Sequence, residues 1–177
     1  TPRRPPHHPR RLLRTTAMAG SSSSSPSAVE TTTVSAAWLK ENLGAVKVLD
    51  CSWYLPAMSR DPLAEHAARR IPGAKYFDVD RISDPNSSLP HMLPSAAQFA
   101  AACDALGVTN EDQVVVYDGA GLFSAARGWW MFKVFGHEAV ALLDGGMPTW
   151  EKAQGEVDET PVTKDVIAAG AAAAAAA

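Results

Sequence analysis

A four-residue apolar run, Val114–Tyr117, leads into Asp118 and a glycine loop, and an apolar stretch over 124–137 follows. No other feature restricts the fold as strongly. The run is too short for a helix, and its residues are β-branched or aromatic, which fits a parallel strand covered on both faces. Gly119 and Gly121 let the backbone turn sharply, so that amides at the start of the next helix, near Ser124, converge on one point. An active site belongs at such a loop. Yet the residue that opens it is Asp118, and neither cysteine of the chain is close to it in sequence.

Around this unit the chain alternates helices and strands. Ser35 suits the N-cap of a short helix through Trp38, Leu39 and Leu43 that ends at Gly44. A strand over 46–50 follows. The segment 61–70 reads as a helix, with Pro62 in its first turn and arginines at its end. Ile71-Pro72-Gly73-Ala74 forces a turn into a short strand over 75–77. The polar, proline-containing stretch 83–94 is a long loop, and loops of that length in compact domains tend to be functional. Ser95 opens a helix over 96–106, a further strand covers 139–143, and Asp144-Gly145-Gly146 leads into a helix around Trp150. Strand, helix and strand at this spacing predict right-handed crossovers, and so an α/β domain with a parallel sheet and helices on both faces.

Charge divides the chain in two. Of its 16 basic residues, Arg3, Arg4, Arg10, Arg11 and Arg14 precede the first acid, Glu30, which leaves 11 against 19 acids, a body at about −8. Such a body is unsuited to nucleic acid, whereas the basic arm alone suits RNA or an acidic protein partner. No run of 18 apolar residues exists, so no membrane span is expected. Residues 1–33, rich in proline, arginine and serine, cannot bury a core. They read either as a solvated tail or as an organelle transit peptide, mitochondrial first and plastid second. A product starting at Met18 would lose all five arginines and stay cytoplasmic. At the other end, 161–177 read as a linker, its seven alanines after Gly170 resembling unassigned sequence more than a natural terminus.

Cys51 and Cys103 form no disulfide framework and no metal-binding spacing, and no cofactor is expected. Cys51 follows the strand over 46–50, where two readings stand: a thiol presented at a strand end, or a small buried residue. Cys103 shares helical spacing with Phe99 and Leu106 and reads as core. In the helix after Ser124, Trp130, Val134 and His137 share one face and Trp129, Phe132 and Phe135 another, as in a helix buried against a sheet.

Several separated segments, in order, resemble the amino-terminal domain of tandem rhodanese-type sulfurtransferases. They are Val48-Leu49-Asp50 with Ser52-Trp53-Tyr54-Leu55-Pro56, then Ile71-Pro72-Gly73-Ala74, then Leu89-Pro90-His91-Met92-Leu93-Pro94. Asp118-Gly119 through Phe123-Ser124-Ala125-Ala126-Arg127 and Trp129-Trp130-Met131-Phe132 follow, and Leu143-Asp144-Gly145-Gly146 with Trp150 completes the set. The likeness covers 34–157 and is strongest to 3-mercaptopyruvate and thiosulfate sulfurtransferases.

The resemblance implies a rhodanese-like domain over 34–160 and a persulfide mechanism run by a cysteine in a second domain. Small sulfur donors, thiol acceptors and a thioredoxin-like protein would be its partners. Asp118 stands where the sulfur-carrying cysteine would be, so this chain alone is expected to be inactive, with Asp118, Gly119, Gly121, Ser124 and Arg127 forming a silent loop. Asp80 and His91 match positions proposed to assist the second domain's site, against the plainer reading that His91 pins its loop. Arg127 is expected to close the loop by bonding backbone carbonyls. A competing reading is a structural subunit of a larger, RNA-containing assembly. Two departures stand out: His66 and Arg70 replace an aromatic and a histidine, altering local packing, and Gly128 replaces a branched apolar residue, loosening the helix by about 1 kcal/mol.

Overall fold

Along each central strand, successive side chains enter opposite cores, and that alternation fixes the architecture. The computed structural model describes residues 31–177. Its strands are β1 (Thr33–Val34), β2 (Lys47–Asp50), β3 (Lys75–Tyr76), β4 (Val114–Tyr117) and β5 (Val140–Leu143). They form one sheet in the order β1-β5-β4-β2-β3, every pairing parallel. Val114 and Val116 of β4 and Val140 and Leu142 of β5 join one core with Phe77, Phe99 and Phe132. Val115 and Tyr117, with Ala141 and Leu143, join the other with Leu39, Ile71 and Trp150. All four residues of β4 are buried, as expected for a strand covered on both faces.

The first core is covered by α3 (Ala96–Leu106) and α4 (Ala125–Val134), the second by α1 (Ala36–Asn42) and α5 (Gly146–Lys152). The short α2 (Pro62–Ala68) follows β2 after a 3-10 turn at Pro56–Met58. Local chemistry sets these starts. Ser35 accepts from the Trp38 amide, Asp61 from that of Ala64, and Ser95 with Gln98 forms a capping box that closes two amides reciprocally. Gly107 ends α3 in the left-handed conformation.

Three expectations need correction. The tail 161–177, expected as a linker, forms α6 (Lys164–Ile167) and α7 (Ala169–Ala176), and α7 buries Ala171 and Ala174 in the first core beside α3. Small side chains permit that close approach: a Cβ at Gly170 would meet Leu106 at 3.0 Å. Trp130 and Val134 are 41% and 46% exposed, so the side of α4 that meets the sheet is Ala125, Gly128, Met131 and Phe132. Gly128 does not slacken that helix. A Cβ there would lie 2.5 Å from Cys51 Sγ, so its absence lets α4 seat against the end of β2. The arm's first thirty residues, with their targeting signal and Met18 start, lie outside the described residues.

Candidate functional site

The loop after β4 is organised around one carboxylate. Asp118 is fully buried. Its Oδ1 accepts from the amides of Ala120 (2.9 Å) and Gly121 (2.7 Å), and its Oδ2 from those of Phe123 (2.7 Å) and Ala125 (2.8 Å). Four converging N–H groups make an anion-binding nest, and the chain's own carboxylate fills it. The turn requires positive φ at Gly121 (90°) and, against steric preference, at Leu122 (76°). Neighbours lock the start of the loop: the Asp118 carbonyl accepts from the Met147 amide at 2.9 Å, and the Gly119 amide donates to Ser52 Oγ at 2.9 Å.

Neither thiol is activated. Burial, with Asp50 and Asp118 adding repulsion, pushes the Cys51 thiol well up, and burial pushes Cys103 up to about 12. An activated sulfur nucleophile needs the opposite shift. Cys51 is the small buried residue of the two readings, and Cys103 is core. Among the described residues no cluster of histidine, cysteine and carboxylates has the makings of a metal site. No helix there is long and apolar enough to cross a membrane.

Beside the nest lies a second polar group. Asp78 folds the chain back by accepting from the amides of Asp80 (3.1 Å) and Arg81 (3.0 Å) through Oδ1, and burial raises its carboxyl above the usual range despite those bonds. This turn presents Asp80, whose Oδ1 lies 3.1 Å from Nδ1 of His91. His91 itself has φ 58°. Its ring meets the edge of Trp53 at 5.0 Å, and Trp53 stacks on Phe123 of the nest loop at 6.3 Å. The Trp53 amide donates to Ser124 Oγ at 2.9 Å. Arg127 Nη2 donates to the His91 carbonyl, and the guanidinium lies over Trp130 at 4.6 Å. The structure thus gathers Asp80, His91, Ser124 and Arg127 around Trp53, one neighbourhood drawn from three loops. Leu89, Met92, Leu122 and Phe123 add exposed apolar surface to these loops.

One polar cluster was not anticipated. Asp50 Oδ2 takes Nδ1 of His66 at 2.8 Å and the Tyr117 hydroxyl at 3.3 Å, while Oδ1 takes the Ser52 amide at 3.0 Å and its hydroxyl at 2.5 Å. All four residues are buried, at the edge of a cavity of about 320 Å³ between α2 and α5. Arg70 pairs with Asp158 at 2.7 Å. The two departures at 66 and 70 therefore each end in a polar pair, with Asp50 and with Asp158. Only the residue types at 66 and 70 hinted at this, since sixteen positions separate Asp50 from His66.

This architecture, a doubly covered parallel sheet with an amide nest after the fourth strand, matches the rhodanese-like domain over residues 35–153. The chain belongs to that family. It is 52% identical over 141 residues to the mitochondrial thiosulfate/3-mercaptopyruvate sulfurtransferase 1 of Arabidopsis thaliana, covering 78% of this chain and 37% of that protein. A solved 3-mercaptopyruvate sulfotransferase from Escherichia coli is 38% identical with a TM-score of 0.70, over 75% of this chain and 52% of that one. The sub-stoichiometric sulfur transferase subunit of yeast mitochondrial complex I is 35% identical, TM-score 0.66, over 76% and 48%. The rhodanese-like chain spans about two fifths of the length of the curated relatives it matches.

Proposed function

We propose that residues 34–160 are the amino-terminal, non-catalytic domain of a two-domain thiosulfate/3-mercaptopyruvate sulfurtransferase. The observation that carries this reading is the filled nest: the carboxylate of Asp118 occupies all four amides that a sulfur anion would use. The share of its relatives that this chain spans leaves room for a second domain of similar size. In that domain a cysteine thiolate attacks the outer sulfur of thiosulfate, the S–S bond breaks, and sulfite leaves. With 3-mercaptopyruvate the C–S bond breaks instead and the enolate of pyruvate leaves, which must gain a proton. Cyanide or a thiol acceptor, a thioredoxin-like protein included, then takes the sulfur from the persulfide and restores the thiolate.

This chain supplies the wall of the cleft. Asp80 Oδ1 lies 3.1 Å from Nδ1 of His91, on the side of the ring away from Nε2, and Nε2 would exchange the proton that the departing enolate requires. The apolar rim of Leu89, Met92, Leu122 and Phe123 is suited to the second domain's surface. The basic arm serves as a mitochondrial transit peptide. The decisive experiment assays residues 1–177 alone for thiocyanate formation from thiosulfate and cyanide, beside the full-length protein. We expect turnover only in the latter. Turnover by the short chain would overturn the reading and put Cys51 and Cys103 back in play.

A second reading, a structural subunit of a larger assembly, draws on the likeness to the yeast complex I subunit. Co-migration of the native protein with a large complex, together with absent sulfur transfer at full length, would favour it.

A further inference from the structure

The silent loop still has work, and its geometry points to Arg127 and Trp53 as positioning residues for the Asp80–His91 pair. This inference rests on the proposed role of that pair. The pair itself is weakly held: Asp80 and His91 have side chains 55% and 31% exposed, so water competes for their contact. Nor is His91 in a relaxed backbone state, its φ being 58° in a region that non-glycine residues seldom occupy. Something must keep it there, and two tethers do so, one from the first turn of α4 and one from the segment after β2 that packs on the nest loop.

The first is main-chain. Arg127 donates to the carbonyl of His91 itself, the residue whose backbone is strained. Arg127 has no carboxylate partner among the described residues, and its Nε is buried without a hydrogen-bond partner. Trp130 lies under the guanidinium and limits where it can reach. A group so committed spends its directional bonding on one peptide carbonyl. The second tether is aromatic. Trp53 stands nearly perpendicular to the His91 ring, and is fixed in turn by stacking on Phe123 and by the hydrogen bond its backbone N–H donates to Ser124 Oγ. Phe123 and Ser124 stand where they do because Asp118 gathers the amides on either side of them. The carboxylate in the nest thus keeps rigid a loop whose outer residues aim a histidine toward the neighbouring domain. A fixed ring orientation matters because proton transfer needs the donor nitrogen within hydrogen-bond reach of the acceptor atom.

The test uses the full-length protein with 3-mercaptopyruvate as donor. His91→Ala is expected to lower kcat by about 100-fold, and Arg127→Met by about 10- to 100-fold with little change in KM. The double variant should be no slower than His91→Ala alone, because a positioner has nothing to position once the ring is gone. Arg127→Lys should recover part of the loss, and Trp53→Phe should cost about 2- to 10-fold. Independently of turnover, nitrogen NMR of labelled histidine should show one His91 tautomer in the native protein and a mixture in Arg127→Met. An additive double variant, a loss confined to KM, or an unchanged tautomer would overturn the inference. Wild-type turnover in His91→Ala would instead sink the underlying role of the pair, whatever Arg127 does. Should Arg127→Met fail to fold, Arg127→Lys and Trp53→Phe carry the same comparison.

Discussion

Two aspartate–histidine pairs follow from neighbouring strands, one starting at the last residue of β2 and the other in the loop beyond β3, and they have opposite lives. Asp50 and His66 sit 2.8 Å apart with side chains 6% and 3% exposed, and Tyr117 and Ser52 complete the carboxylate's bonding. Asp80 and His91 sit 3.1 Å apart, half open to solvent, on strained loop backbone. The chemistry of the two pairs is the same, so residue type alone cannot tell them apart. Exposure and bonding saturation can. The inner carboxylate is spent on neighbours and knits β2, α2 and β4 together. The outer pair keeps a nitrogen in reserve.

The sharpest way to break that contrast is Asp50→Ala. It strips partners from His66, Ser52 and Tyr117 at once, and should cost about 3–5 kcal/mol in denaturant unfolding. A loss below about 1 kcal/mol would mean that the inner pair is as dispensable as a surface one. Next comes Gly128→Ala, which drives a methyl group into Cys51 and should cost about 1–3 kcal/mol. Adding Cys51→Ala should return much of it, and a simple sum of the two costs would show that the close approach of α4 is not what holds glycine there. The smallest effect is expected from Asp80→Asn or His91→Ala, each within about 0.5 kcal/mol of the parent in the same unfolding measurement. A larger drop at 91 would make that histidine a loop pin, the plainer of its two readings.

How much of this could be read from residues alone follows from the range over which each signal acts. The strands β2, β4 and β5, the capped helix α3 and the glycine turn were legible because hydrophobic period, caps and turn residues are local. The strand β1 was not, since two residues carry no period and only the edge of β5 gives them partners. Asp80 and His91 came from likeness to a family, and their proximity to Arg127 could not have been read from spacing, because 36 positions separate His91 from that arginine. Gly128 was misjudged for a kindred reason. Helix propensity is an intrinsic property, whereas its neighbour Cys51 arrives from another strand. The tail escaped notice because alanines show no amphipathic pattern, and their burial depends on the groove along α3.

The ring of amides around position 118 also ties the course of a whole loop to one side chain. Four backbone donors converge on the two oxygens of one side chain, so a substitute with fewer acceptor atoms would leave some or all of them without a partner. Mutation there therefore gives up several backbone bonds at once rather than one. The residue that closes the loop is thus also the one whose replacement would open it furthest.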